Sequence, residues 1–80
     1  MKNSITKKQF EMLKPFERYF EQAKNGYLTA LPFADMKKLA AIYSELGGNV
    51  TNLGCHNCCY RCVRALSEYY FAYKGKCENR

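Results

Sequence analysis

Eighty residues make one domain, near the lower size at which a single core is sufficient without staples. The chain is 48% apolar and 25% charged, a globular balance that excludes intrinsic disorder. Its net charge of +6 favours solubility and attraction to nucleic acid, acidic lipid or an acidic protein, without choosing among them.

The first eight residues hold no apolar stretch, so no signal peptide is expected, and no apolar run approaches the roughly eighteen residues that span a membrane. The first helix is expected over about 6–25. Thr6 can cap it while Gln9 reaches back to the cap amide, with Ile5 and Phe10 placed for a hydrophobic staple. Met12, Leu13, Phe16, Tyr19, Phe20 and Ala23 then share roughly a third of the helical circumference. Pro15 falls inside this pattern and either kinks the helix or splits it. Asn25-Gly26 supplies a left-handed stop.

Residues 27–31 read as a connection, with Thr29 placed to cap the next helix and Pro32 suited to its first turn. That helix is expected over about 30–46, with Phe33, Met36, Leu39, Ala40, Tyr43 and Leu46 on one face and Gly47-Gly48 ending it. A loop rich in turn formers follows, and either Asn52 or Gly54 caps the last helix. The last helix is expected over about 53–74, stopped by Gly75. Cys55, Cys58, Cys59, Cys62, Leu66, Tyr69, Tyr70, Tyr73 and Cys77 fall in an arc of about 120° on it, which is a core stripe by pattern. His56, Tyr60, Arg64, Ser67 and Phe71 align on the far side. With no strand alternation, the fold class is all-α: a small three-helix domain over residues 1–80.

The chemistry concentrates in Cys55-x-x-Cys58 and Cys59-x-x-Cys62, two C-x-x-C units fused without a spacer. Zinc needs four tetrahedral donors, and one helix cannot wrap all four thiols around an ion, because residues 55 and 62 are about 10.5 Å apart along its axis. A zinc site is left three arrangements. Cys55 and Cys58 can be joined by Cys77 or His56, or by the same pair of a second protomer. Alternatively Cys58 or Cys59 acts with Cys62 and a partner's donors. Against these stands the simpler reading of small buried thiols packed in a core. Redox chemistry lacks the strand–loop–helix setting of thioredoxin-like motifs, although Cys55 sits at a helix N-terminus, where the dipole stabilises thiolate. Haem attachment would need histidine at position 59, which is Cys59. His56 points about 100° away from Cys55 on a helix and is poorly placed as its base. No phosphate-cradling loop or carboxylate pair appears, so no enzyme and no small-molecule substrate is expected.

Two surfaces compete for partners. Tyr60, Arg61, Arg64 and Phe71 combine arginine with aromatics, as protein-interface anchors and base-stacking platforms do, although a central helix buried on two sides would also draw Tyr60 and Phe71 into the core. Lys37, Lys38, Arg61 and Arg64 are the cations a nucleic-acid reading would place on phosphates, with Tyr60 stacking. The basic residues are otherwise scattered, with no run of five.

One family resemblance is carried by an aromatic-rich helix ending in Asn25-Gly26-Tyr27, Ile42-Tyr43 before Gly47-Gly48, an Asn52-Leu53-Gly54-Cys55-x-x-Cys58 helix opening, then Arg64-Ala65-Leu66 and Tyr69-Tyr70-Phe71. In these the chain resembles short proteins encoded by phages and prophages of Bacteroidetes. Cys59, Cys62 and Cys77 depart from the two-cysteine form of that group. The resemblance implies phage origin, as a virion accessory component or a binder of host machinery, and hence the host cytoplasm or the virion. The expectation is a non-enzymatic protein-binding module or self-associating domain, with a nucleic-acid-binding domain and a zinc- or redox-responsive C-x-x-C protein as alternatives.

Overall fold

The computed structural model describes residues 4–29, 31–50, 52 and 54–78, with side chains to residue 76. Expectations for residues 1–3, Ala30, Thr51, Leu53 and Arg80, and for the Cys77 side chain, lie outside these. The described residues form helices and connections with no strand.

Thr6 caps α1 (Lys7–Leu13) in extended conformation. Its Oγ1 accepts the Gln9 amide at 3.1 Å, and Gln9 Oε1 accepts the Thr6 amide at 3.0 Å, closing a capping box. Ile5 and Phe10, on either side of the cap, are both buried. At Pro15 the chain tightens into a 3-10 turn (Lys14–Phe16) and restarts as α2 (Glu17–Lys24), because proline has no N–H for the i→i−4 ladder. The first helix is therefore split. The break also moves Met12 out of the core: it is 49% exposed, and α1 buries Gln9, Phe10 and Leu13 instead. α2 ends in a Schellman motif, Gly26 N–H to Ala23 O and Tyr27 N–H to Gln22 O, with Gly26 at φ 94°.

Thr29 does not cap the next helix. Its amide and hydroxyl both donate to Gln22 Oε1 at 2.9 Å, tying the connection back to α2, while Leu28 turns inward. α3 (Phe33–Glu45) starts after Pro32, which offers no side-chain cap, and so begins later than expected. Its buried line is Met36, Leu39, Ile42 and Leu46, with Ala40 and Tyr43 at the edge. Including Ile42 rotates this face so that Phe33 stands about 130° from its centre, and Phe33 is 60% exposed. A second Schellman motif, with Gly47 at φ 95°, ends the helix.

α4 (His56–Glu78) is the spine on which α1, α2 and α3 all pack, α2 most extensively. It runs through Gly75, which does not take the positive φ of a helix stop. α2 lies antiparallel to it: Glu17 meets Tyr70 and Lys74 near one end, and the Tyr60 hydroxyl donates to Ala23 O near the other. Cys59, Cys62, Val63, Leu66, Ser67 and Tyr70 are buried, a face centred about 40° round the helix from the expected stripe, toward Val63 and Ser67. Docking of α2 on that side causes the rotation. It leaves Cys55, Cys58, Tyr69 and Tyr73 half-buried at the edge, and it places Ser67, expected on the far side, inside. The Ser67 hydroxyl is satisfied by donating to Arg64 O at 2.6 Å. Phe10, Phe20, Phe71 and Tyr73 all bring their rings to within 5.3 Å of a neighbouring ring around Tyr70 and Phe10.

Candidate functional site

The cysteine run lies where the loop turns into α4. Asn52 Oδ1 accepts the Gly54 amide at 2.8 Å, and Asn52 O accepts the Cys55 amide at 3.2 Å, so Asn52 closes the turn before the helix. The cap itself is Cys55, not Asn52 or Gly54. Its Sγ accepts the Cys58 amide at 3.3 Å, and its carbonyl accepts the Cys59 amide at 3.0 Å.

This position divides two motifs that look alike in the sequence. The Cys58 thiol and then the Cys58 amide, both donating to Cys55 Sγ, draw the Cys55 thiol below its ordinary value, aided by the Asn57 amide and the Arg61 charge and opposed by burial. Burial pushes the Cys59 thiol up, and it pushes Cys62 up to about 12. The first pair is therefore half-buried and chemically open, and the second is core. Cys55, Cys58, Cys59 and Cys62 are all present as thiols rather than disulfides. Among the described residues no three His, Cys, Asp or Glu side chains converge as metal ligands, so Cys55 and Cys58 offer at most two donors of a zinc shell there.

Two cavities flank the start of α4. One, of about 280 Å³, is lined by Tyr43, Asn49, Val50, Cys58, Arg61 and Cys62. The other, of about 200 Å³, is walled mostly by Leu28, Leu31, Phe33 and Met36, with His56 and Cys59 at its α4 side. Sequence periodicity did not flag this second cavity, because residues 27–31 have no repeating pattern and Phe33 matched a core position.

Of the expected partner residues, the fold unites three. Tyr60, Arg64 and Phe71 follow the seam between α2 and α4. Arg64 Nη1 donates to the Tyr60 hydroxyl at 3.1 Å, and Lys24 Nζ lies 5.2 Å from the Phe71 ring centroid. The Tyr60 hydrogen bond raises the Arg64 guanidinium further above its ordinary value, so it is a fixed cation. Arg61, three residues before Arg64 on the same helix, lies on the wall of the cavity that Cys58 also lines. Lys37 projects from α3, with its Nζ 5.7 Å from the Phe33 ring centroid, and Lys38 is exposed beside it. The four cations of the nucleic-acid reading are thus divided between two helices, α3 and α4.

No helix among the described residues is long and apolar enough to cross a membrane. The chain matches no protein-family model, and no curated protein or solved structure is significantly similar to it.

Proposed function

We propose that this chain is a small, non-enzymatic protein-interaction module, and that its contact face is the α2–α4 seam carrying Tyr60, Arg64 and Phe71, with Lys24 beside them. The observation that carries the reading is the Arg64–Tyr60 pair. A guanidinium is held in place by a hydroxyl and not neutralised by it, beside half-exposed aromatic surface. Such a pair loses little side-chain freedom on binding and offers a bidentate donor to a carboxylate. With a chain net charge of +6, the partner that fits is a protein surface bearing Asp or Glu next to an apolar contact. The phage setting implied by the sequence resemblance, a virion component or a binder of host machinery, accommodates this role.

The test is quantitative affinity capture from cells expressing the tagged chain, comparing wild type with Arg64→Glu and with Arg64→Ala. A partner captured by wild type should fall at least about tenfold with either variant, the loss of one good anchor, while circular dichroism stays unchanged. Capture that is indifferent to both variants sinks the proposal. So does recovery of DNA or RNA alone, bound with affinity that falls steeply as salt rises, which would favour the nucleic-acid reading instead.

A further inference from the structure

The two fused C-x-x-C units are not equivalent, and the difference assigns a chemistry the interaction face does not use. Serine, threonine, aspartate and asparagine are the usual N-cap residues, because a thiol is a weak acceptor. A thiolate is a strong one. At the head of α4, Cys55 Sγ accepts the Cys58 amide at 3.3 Å, and the Cys58 thiol is the largest influence lowering the Cys55 thiol's pKa. The N-cap-to-N3 spacing places their Cα atoms within the range a disulfide accepts, about 4.4–6.8 Å. Independently of the helix end, Cys58 opens onto the cavity of about 280 Å³ between the end of α3 and α4, with Arg61 on its wall. That cavity admits a small organic molecule and presents a cation to it.

We propose that Cys55 and Cys58 are a thiol–disulfide exchange site for a low-molecular-weight disulfide bearing carboxylates, one of which sits on Arg61 in the cavity at Cys58 while the S–S bond extends past Cys58 to Cys55, outside the cavity's lining. The Cys55 thiolate attacks one sulfur of the bound disulfide. The S–S bond breaks, one small thiolate leaves and takes a proton from water, and a mixed disulfide forms on Cys55. Cys58 then loses its proton to solvent and attacks Cys55 Sγ, expelling the second small thiolate. The protein gives up two electrons and ends with a Cys55–Cys58 disulfide, and the small disulfide is reduced to two thiols. Cys59 and Cys62, one turn on, are the built-in controls: Cys62 borders the same cavity, but with 1% of its surface exposed and its thiol held protonated by burial it takes no part, and neither does buried Cys59.

The experiment uses the full chain with oxidised glutathione as probe, read by intact mass and peptide mapping. Wild type should lose the mass of two hydrogens, with the bond mapped to Cys55 and Cys58. The Cys58→Ser variant should trap one glutathione on Cys55, and Cys55→Ser should trap none at a comparable rate. Arg61→Ala should slow reaction with oxidised glutathione at least about fivefold, yet leave reaction with neutral hydroxyethyl disulfide unchanged, as loss of a single charge contact predicts. Iodoacetamide should label Cys55 with a pH midpoint below the ordinary cysteine value of about 8.5. Several results would overturn the proposal: a disulfide mapped elsewhere, glutathione spread evenly over the cysteines of Cys58→Ser, or equal effects of Arg61→Ala on both disulfides. A stoichiometric zinc ion that shields both thiols from iodoacetamide would do the same. Unchanged circular dichroism in each variant separates these outcomes from misfolding.

Discussion

Single side chains show how burial sorts chemically identical groups in this fold. Glu17 is a case in polar form: one carboxylate oxygen accepts the Tyr70 hydroxyl at 2.7 Å and the Lys74 ammonium at 2.8 Å. The Lys74 hydrogen bond first, then that from Tyr70, hold its carboxyl below the ordinary 4.5. A carboxyl depressed in the folded state contributes stability that is fully present above the unfolded value and is lost as pH falls through the folded one. Urea unfolding should therefore show stability dropping below about pH 4.5, and Glu17→Gln should lower stability at neutral pH while flattening that drop. Since about a third of the Glu17 side chain is exposed, Tyr70→Phe should cost only about 1 kcal/mol at neutral pH. Cys62 gives the apolar counterpart. With its thiol pushed up to about 12 and only 1% of its surface exposed, it should resist iodoacetamide in the native protein. Labelling should then follow the unfolded fraction through a urea titration, whereas labelling in native buffer would place Cys62 outside the core.

Helices, taken one at a time, are readable from many of their local signals, although Thr29 and Asn52 or Gly54 are not the caps that α3 and α4 use. The Thr6–Gln9 capping box, the break at Pro15 and the Gly26 and Gly47 stops all follow from a few adjacent residues, and each is present. Other positions depend on which neighbour docks where, which no local pattern carries. The α4 stripe was centred on the cysteines because they dominate the pattern, but α2 packs toward Val63 and Ser67 and turns the helix by about 40°. The same rotation left Cys55 and Cys58 accessible, so the candidate site was visible as a motif while its division into an open pair and a core pair was not. Gly75 shows the limit of local rules: it reads as a stop, yet the helix continues through it and a Cβ there would meet nothing within 4 Å. Gly75→Ala should therefore stabilise the domain by about 0.5–1 kcal/mol, raising the melting temperature by a few degrees. Gly26→Ala should do the opposite. There too a Cβ would meet nothing, but φ of 94° strains any L side chain, and a loss of about 1–2 kcal/mol is expected. If both alanines lower the melting temperature alike, Gly75 is a helix stop after all.

The whole molecule is held together through one element. With a radius of gyration of 11.8 Å, the domain has the compactness of a folded chain this long, about 11.6 Å by size scaling. The α1–α2 arm and α3 each pack mainly on α4, and a polar link at 3.4 Å, Gln9 Nε2 to Glu45 Oε2, bridges α1 and the end of α3. Cooperativity between the arm and α3 therefore passes mainly through the buried face of α4. Leu66 sits at the middle of that face with no exposed surface. Leu66→Ala should cost about 2–5 kcal/mol, a large part of the roughly 5–15 kcal/mol that stabilises a small domain. The form of the transition is as informative as its midpoint. If α4 couples the two sides, ellipticity and Cys62 labelling should still fall together in one step at lower denaturant. If Leu66→Ala separates them into two steps, the arm and α3 each hold to α4 on their own, and the single core inferred for this chain is two smaller ones sharing a helix.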